Sequence, residues 1–297
     1  MTNNTPSAPA VLLLGDPGRG KTYSLGSLVT SPHVEKVFYL YTDPGGDESL
    51  IDSIVDRKGD LSKVHMHYVA PASKGWSALE DLAKKINMMD FQALGNLKQG
   101  IDKAGYRQFF EILACLSNFK CDRTGEEFGP ADKFPNNWAV IFDSLTGLNK
   151  IARETAVGAK PTLHQGEWGT AMSMEENFIR KFAADIKGPR VMIGHLDKVM
   201  MELEGRMMFQ VSLLGNKLAP HIPHLFSDVI HADRDGTGFV WSTNDQRISL
   251  KSRNLPESNK LKPDFGPILE KWRSRCDLYA NMKDPETGNA PVEGQGA

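Results

Sequence analysis

The chain alternates between short apolar runs and longer amphipathic segments. AVLLL over 10–14, KVFYLYT over 36–42, KVHMHYVA over 63–70, WAVIFDS over 138–144 and RVMIGH over 190–195 are rich in apolar residues without strict alternation. That pattern predicts strands covered on both faces. WSALEDLAKKINMMDFQAL (76–94) and YRQFFEILACLSNF (106–119) carry helical spacing. A long helical region follows residue 144, interrupted by GAKPTLHQGEWG (158–169). Residues 118–137 are rich in Gly, Pro, Asp and Asn and read as a surface loop or small insertion. From 227 to 251 the pattern changes to DVIHADR, GFVWST and RISLKS, short strands split by DGTG and NDQ, a meander of hairpins.

Strand–helix alternation predicts an α/β fold, with a mostly parallel central sheet flanked by helices and a C-terminal antiparallel hairpin extension. The expected organisation is a flexible N-terminus over 1–8, one core over 9–280 and a polar, Pro/Gly-rich disordered tail over 281–297. No run approaches the roughly 18 apolar residues of a membrane span, and the first ten residues lack a signal pattern, so a soluble, cytoplasmic protein is expected. Cys115, Cys121 and Cys276 are too few and too scattered for a disulfide scaffold. The first two have no knuckle spacing, which makes a metal pair the lesser reading. A net charge of −2 announces no global field for nucleic acid, so any such surface is local.

The chemistry concentrates directly after the first apolar run. Gly15, Gly20, Lys21 and Thr22 stand in the order G-x-x-x-x-G-K-T, the phosphate-binding P-loop. The residues from Gly15 through Asp16, Pro17, Gly18, Arg19 and Gly20 to Lys21, Thr22 and Tyr23 are the candidate nucleotide cradle. Its backbone N–H groups turn inward towards an anion, and the following helix adds positive potential. Lys21 is expected to reach the β- and γ-phosphates, with the Thr22 hydroxyl on Mg²⁺. The bland alternative is a Gly-rich turn with a solvated lysine.

In such sheets ligands bind outside the carboxyl ends of the strands. AVIFD ends in Asp143, the Walker B position, where a carboxylate helps to hold Mg²⁺; an ordinary helix cap is the competing reading. Ser144 follows, not Glu, so a water-orienting carboxylate must come from elsewhere. Asp43, at the end of VFYLYTD, is the candidate, with Asp47 and Glu48 behind it; DPGGD is also turn chemistry. His195 ends its strand either as a sensor of the γ-phosphate or as a structural histidine.

Together these residues resemble the RecA-like ATPase core over roughly residues 9–275. The closest likeness is to the compact phage-encoded RecA-like ATPases, among them single-strand annealing recombinases and proteins described as phage nucleotide-binding proteins. IFDSLTGL matches that family's Walker B strand, Asp43 the place of its catalytic carboxylate (usually Glu) and His195 its polar sensor (usually Gln). In ISLKSRNLP, Lys251 and Arg253 match a basic pair that reaches a neighbouring subunit's ATP; an edge strand blunted by charge is the alternative.

The resemblance implies ATP and Mg²⁺ as cofactors, ATPase activity and a homo-oligomer, ring or filament. It also implies single-stranded DNA as a partner, in recombination or annealing, and a phage single-strand-binding protein. The location would then be the host cytoplasm. By position the first DNA loop covers Lys160 and Trp168, and the second Lys198 and Arg206, with Phe209 a further aromatic. Between 251 and 275 seven Lys/Arg face three Asp/Glu, which suits a DNA-facing, subunit-facing or merely solvated surface. A helicase or helicase loader on the same core remains open, as does a non-hydrolysing, ATP-clamped scaffold. A small-molecule kinase would need an arginine-rich lid, and no such cluster follows the Walker B strand.

Overall fold

The computed structural model describes residues 6–70, 76–88, 104–157, 165–201, 205–215 and 217–282. Nine strands are described: β1 (Ala10–Leu14), β2 (Lys36–Tyr41), β3 (Val64–Tyr68), β4 (Trp138–Asp143), β5 (Arg190–Gly194), β6 (Leu196–Met201), β7 (Arg206–Val211), β8 (Asp228–Asp235) and β9 (Gly238–Ser242). The helices are α1 (Lys21–Ser24), α2 (Gly26–Val29), α3 (Gly46–Asp56), α4 (Trp76–Asn87), α5 (Ala104–Ser117), α6 (Leu145–Val157), α7 (Gln165–Asp185) and α8 (Gly266–Met282).

Seven strands form one sheet in the order β3-β2-β4-β5-β1-β8-β9, and β6 pairs with β7 in a separate hairpin. Every pairing from β3 through β8 is parallel; only β9 runs antiparallel, against β8. This is a mostly parallel sheet flanked by helices. The apolar runs are continuous because both faces of the sheet are covered. The period of two then deals side chains alternately to the two faces. Leu12, Leu14, Phe38, Leu40, Phe142 and Met192 join one core with Ile112 of α5, Leu148 of α6 and Phe178 of α7. Val11, Leu13, Tyr39, Ile141, Ile193 and Trp241 join the other, with Leu28, Leu50 and the α8 residues Ile268, Leu269 and Trp272.

The register brings the strand ends level. Leu14 pairs with Gly194, Tyr41 with Asp143, and Asp143 with Ile193. The loops after β1, β2, β4 and β5 therefore open on the same edge.

Several elements differ from expectation. The terminal hairpin extends the sheet, but β8 itself lies parallel to β1. RISLKS forms no strand and keeps only isolated bridges, Ile248 to Phe209 and Lys251 to Val229. Just past Lys251, the backbone N–H groups of Arg253 and Asn254 turn to the buried Asp228 carboxylate instead of continuing a ladder, each at 3.0 Å. Residues 118–137 run along the surface yet anchor in the core through Phe119, Cys121, Ala131 and Phe134. Phe119 and Phe134 pack on Phe38 with ring centroids 4.9 and 4.3 Å away. Ahead of β1, Ala8 is buried, and Pro6 O accepts from Trp272 Nε1 at 3.1 Å. Residues 1–5, 89–94 and 283–297 lie outside the described residues.

Glu175 of α7 is fully buried, and its Oε2 accepts the Leu214 N–H at 3.0 Å. Burial raises its pKa from 4.5 to about 8. The folded chain then holds this proton more tightly than the unfolded chain. The group's contribution to stability is full below pH 4.5 and is lost as pH rises towards 8. Glu175→Gln keeps an acceptor for Leu214 and removes the titration. Its unfolding free energy, compared with the native chain by urea denaturation at pH 5 and pH 8, should gain by a few kcal/mol at the higher pH. Equal gaps at both pH values would show that Glu175 does not titrate in this window.

Candidate nucleotide site

The turn after β1 depends on close backbone approach. Gly15 N donates to Gly194 O at 3.3 Å, and a Cβ on Gly15 would lie 2.3 Å from Ala232 O of β8. Gly18 and Gly20 sit at φ of +73° and +74°, where side-chain-bearing residues are strained. A helix starts at Lys21, as the glycine spacing predicts.

Lys21 is buried, and its Nζ donates to Gly15 O at 2.8 Å and Asp16 O at 2.9 Å. Burial lowers its pKa to about 8, opposed by Asp143, Asp16 and Asp43. Thr22 Oγ1 donates to Asp143 Oδ2 at 2.8 Å, joining two motifs 121 residues apart. The Tyr39 hydroxyl also donates to Asp143 Oδ2, at 2.9 Å, and lies 3.2 Å from Gly46 O. Burial raises the Asp143 pKa to about 6, against the lowering effect of the Thr22 and Tyr39 hydrogen bonds.

Asp43 faces the same space. Its Oδ2 accepts from Ser144 Oγ at 2.9 Å, and Ser144 N donates to Thr42 Oγ1 at 3.2 Å. His195 Nδ1 shares a 3.0 Å hydrogen bond with Thr146 Oγ1 at the start of α6. Burial, then Lys21, lowers its pKa, which favours the neutral ring.

Lys21, Thr22, Asp43, Asp143 and His195 line a cleft of about 580 Å³ together with Pro44, Gly45, Gly46, Asp52, Asp56 and Phe239. Phe239 comes from β9. A Cβ on Gly20 would lie 2.5 Å from its ring, and Tyr23 packs on it with centroids 5.7 Å apart. Arg19 reaches Asp233 of β8 at 3.3 Å. The last hairpin therefore braces the phosphate loop. Mg²⁺ is usually held by one or two protein oxygens with phosphates and water completing its shell. A hydroxyl and a carboxylate 2.8 Å apart, beside a buried lysine, fit that chemistry.

The structure brings together residues 15–23 with Asp43, Asp143 and His195. It does not bring Lys251 and Arg253 to the same cleft. Lys251 bridges to Val229 near the start of β8, at the amino end of the sheet, and its Nζ donates to Phe226 O at 2.7 Å. The stretch expected as a second loop is the β6–β7 hairpin, anchored beside the cleft where Ser212 N donates to His195 O at 2.9 Å. Lys198 is exposed on it, and the exposed Met200 and Met207 pair across it. Arg247 lies 5.5 Å over the ring of Phe209. Trp168 is half-buried against Ala152, Ala171 and Leu214. Lys160 and the side chain of Arg206 lie outside the described residues.

Sequence reasoning missed Tyr39 and Phe239. A tyrosine inside a buried strand was the available signal, because its hydroxyl must find a partner. Phe239 gave none, since its contact is set by how the hairpin folds back.

No family model matches the chain, and no curated protein matches it either. Among solved structures, a RadB recombinase aligns at 15% identity over 85% of each chain, with a TM-score of 0.39. The ATPase EscN of the enteropathogenic E. coli type III secretion system, solved with its central stalk EscO, aligns at 12% identity and a TM-score of 0.41, over 97% of this chain and 57% of its own. A prototypical type III secretion ATPase from pathogenic bacteria aligns at 12% identity and a TM-score of 0.39, over 77% of this chain and 53% of that one. The alignments with the two secretion ATPases thus span little more than half of those chains. Among the described residues, no helix is long and apolar enough to cross a membrane.

Tyr39→Phe removes one donor from a buried carboxylate. Stability should fall by about 1–3 kcal/mol. The Mg²⁺-dependent part of nucleoside triphosphate affinity should weaken while affinity in EDTA stays unchanged, as read by calorimetry. An unaltered Mg²⁺ dependence would rule out Tyr39 as the group that aligns Asp143.

Proposed function

We propose that the chain is an ATPase that binds MgATP in this cleft and works as a homo-oligomer on single-stranded DNA, in recombination or strand annealing. The observation that carries the nucleotide reading is the 2.8 Å contact between Thr22 and Asp143 beside the buried Lys21. The residues from Gly15 to Tyr23 cradle the phosphates, with backbone N–H groups and the Lys21 ammonium meeting their charge. Thr22 and Asp143 would hold the Mg²⁺ that comes with ATP, and bound there it would supply charge neutralisation at the phosphates. Asp43, held by Ser144, orients and deprotonates the attacking water. His195, neutral and tied to Thr146, reports the state of the cleft to the β6–β7 hairpin that begins at the next residue.

Lys251 and Arg253 act on a neighbour's nucleotide. Their position at the amino end of the sheet, away from their own cleft, supports action in trans. The carboxylate-rich cleft wall of Asp43, Asp52, Asp56 and Asp143 supplies the opposite sign for a head-to-tail contact. For DNA, Lys160, Lys198 and Arg206 track phosphates, and Trp168 lends its exposed edge to a base. A phage-encoded member of this group, in a host cytoplasm, would meet a single-strand-binding protein on the same DNA. The Ser144 hydrogen bond that occupies Asp43 favours one competing reading, an ATP-clamped scaffold without turnover.

ATP hydrolysis measured with and without single-stranded DNA tests the proposal. Turnover should rise with DNA and vanish in Lys21→Ala. Lys251→Ala and Arg253→Ala should each bind ATP but lose turnover, and mixing either with Lys21→Ala should restore part of it. Tight ATP binding with no turnover under any condition would overturn the ATPase reading in favour of the scaffold. Turnover with duplex unwinding would instead indicate a helicase.

A further inference from the structure

The chain forms a second polar pocket at the amino ends of β1 and β5, away from the P-loop. Its volume is about 190 Å³. The walls come from residues 7–10 leading into β1, Arg190 at the start of β5, residues 224–227 ahead of β8, Lys251, Arg253 and Asn254, and Arg275 of α8. Arg190, Lys251, Arg253 and Arg275 all face it, with exposed His224 on the wall, and no carboxylate lines it among the described residues.

None of the pocket's four cations makes a direct ion pair among the described residues. Arg190 is only 7% exposed, yet its guanidinium donates to neutral carbonyls alone: Nε to Ala183 O at 2.7 Å, and Nη1 to Ala8 O at 2.9 Å and Gly188 O at 3.3 Å. Lys251 Nζ likewise meets a carbonyl, and Arg275 Nη2 donates to Arg253 O at 2.9 Å. The Arg253 guanidinium has no hydrogen bond or ion pair among the described residues. The Asp228 carboxylate lies buried behind the turn. It is fully engaged by Ser227 Oγ, Ser252 Oγ, the N–H groups of Arg253 and Asn254, and the Asn254 side chain. Its role is to hold the turn that carries the cations. Burial away from any carboxylate penalises the Arg190 charge, and the part-exposed Lys251 and Arg275 and the exposed Arg253 add like charges that repel it. Both penalties fall when an oxyanion enters, and guanidinium groups match its oxygens two at a time. The volume suits a phosphate; sites for whole small-molecule ligands begin at roughly 300 Å³.

We propose that this pocket is a phosphoryl-oxyanion site built within one chain, with Arg190 as its floor and Arg253 and Arg275 closing on the anion. It extends the reading of Lys251 and Arg253 given above by adding Arg190 and Arg275, and it needs no neighbour to be complete. The anion has two sources, inorganic phosphate or the terminal phosphate of a nucleotide held by an adjacent copy.

The test uses inorganic phosphate and the full chain carrying Lys21→Ala, which disables the P-loop, kept too dilute to assemble. Calorimetry should show one saturable equivalent of phosphate. Arg275→Gln should weaken it at least tenfold. So should His224→Glu, which sets a carboxylate on the pocket wall from an exposed position and leaves the core untouched. Loss of phosphate binding with Lys21→Ala alone, or binding indifferent to both pocket variants, overturns the proposal. ATP-loaded native protein then separates the sources: displacement of the bound phosphate identifies the neighbour's nucleotide as the occupant, and persistence identifies free phosphate. Failure of trans action in the mixing assay leaves this binding unaffected, so the two readings fall separately.

Discussion

A carboxylate forced into a dry sheet edge governs the site. Asp143 ends a strand flanked by β2 and β5, so the backbone register, not its own preference, decides its burial. A buried carboxylate without donors is costly. Thr22 and Tyr39 supply donors, and each is thereby committed: Thr22 ties the start of α1 to β4, and Tyr39 ties β2 to both Asp143 and the start of α3 at Gly46. The same oxygen that needs these donors is one a divalent ion would take. Stability and ligand chemistry are thus set by a single group.

The neighbouring strand ends follow the same logic with different outcomes. Asp43 sits one loop further out and satisfies itself through Ser144, while His195 stays neutral beside Lys21 and turns to Thr146. Charge is graded across the cleft, from the buried lysine to the open carboxylates of α3. This grading lets one small region keep a cation in its interior and acids on its rim.

Much of this was legible in the residues. AVLLL followed by glycines could only be a covered strand turning sharply, and Asp43, Asp143 and His195 announced themselves by ending apolar runs. What could not be read were contacts made across the sheet or through a turn. Tyr39 meets Asp143 over 104 residues of chain. RISLKS has strand composition but loses its ladder to Asp228, a competitor no local pattern displays. Helix α8 buries only Ile268, Leu269 and Trp272. That stripe is too narrow to stand out among its charges, so the stretch read as a basic surface.

Strand β1 connects the phosphate loop at one end to the basic pocket at the other. It lies between β5 and β8, both parallel to it, and neither end can slide without breaking two ladders at once. Five extended residues span about 17 Å. The strand is therefore a fixed spacer. In a head-to-tail array of copies, its length enters every repeat unchanged, so any change of pitch must come from the contact between copies.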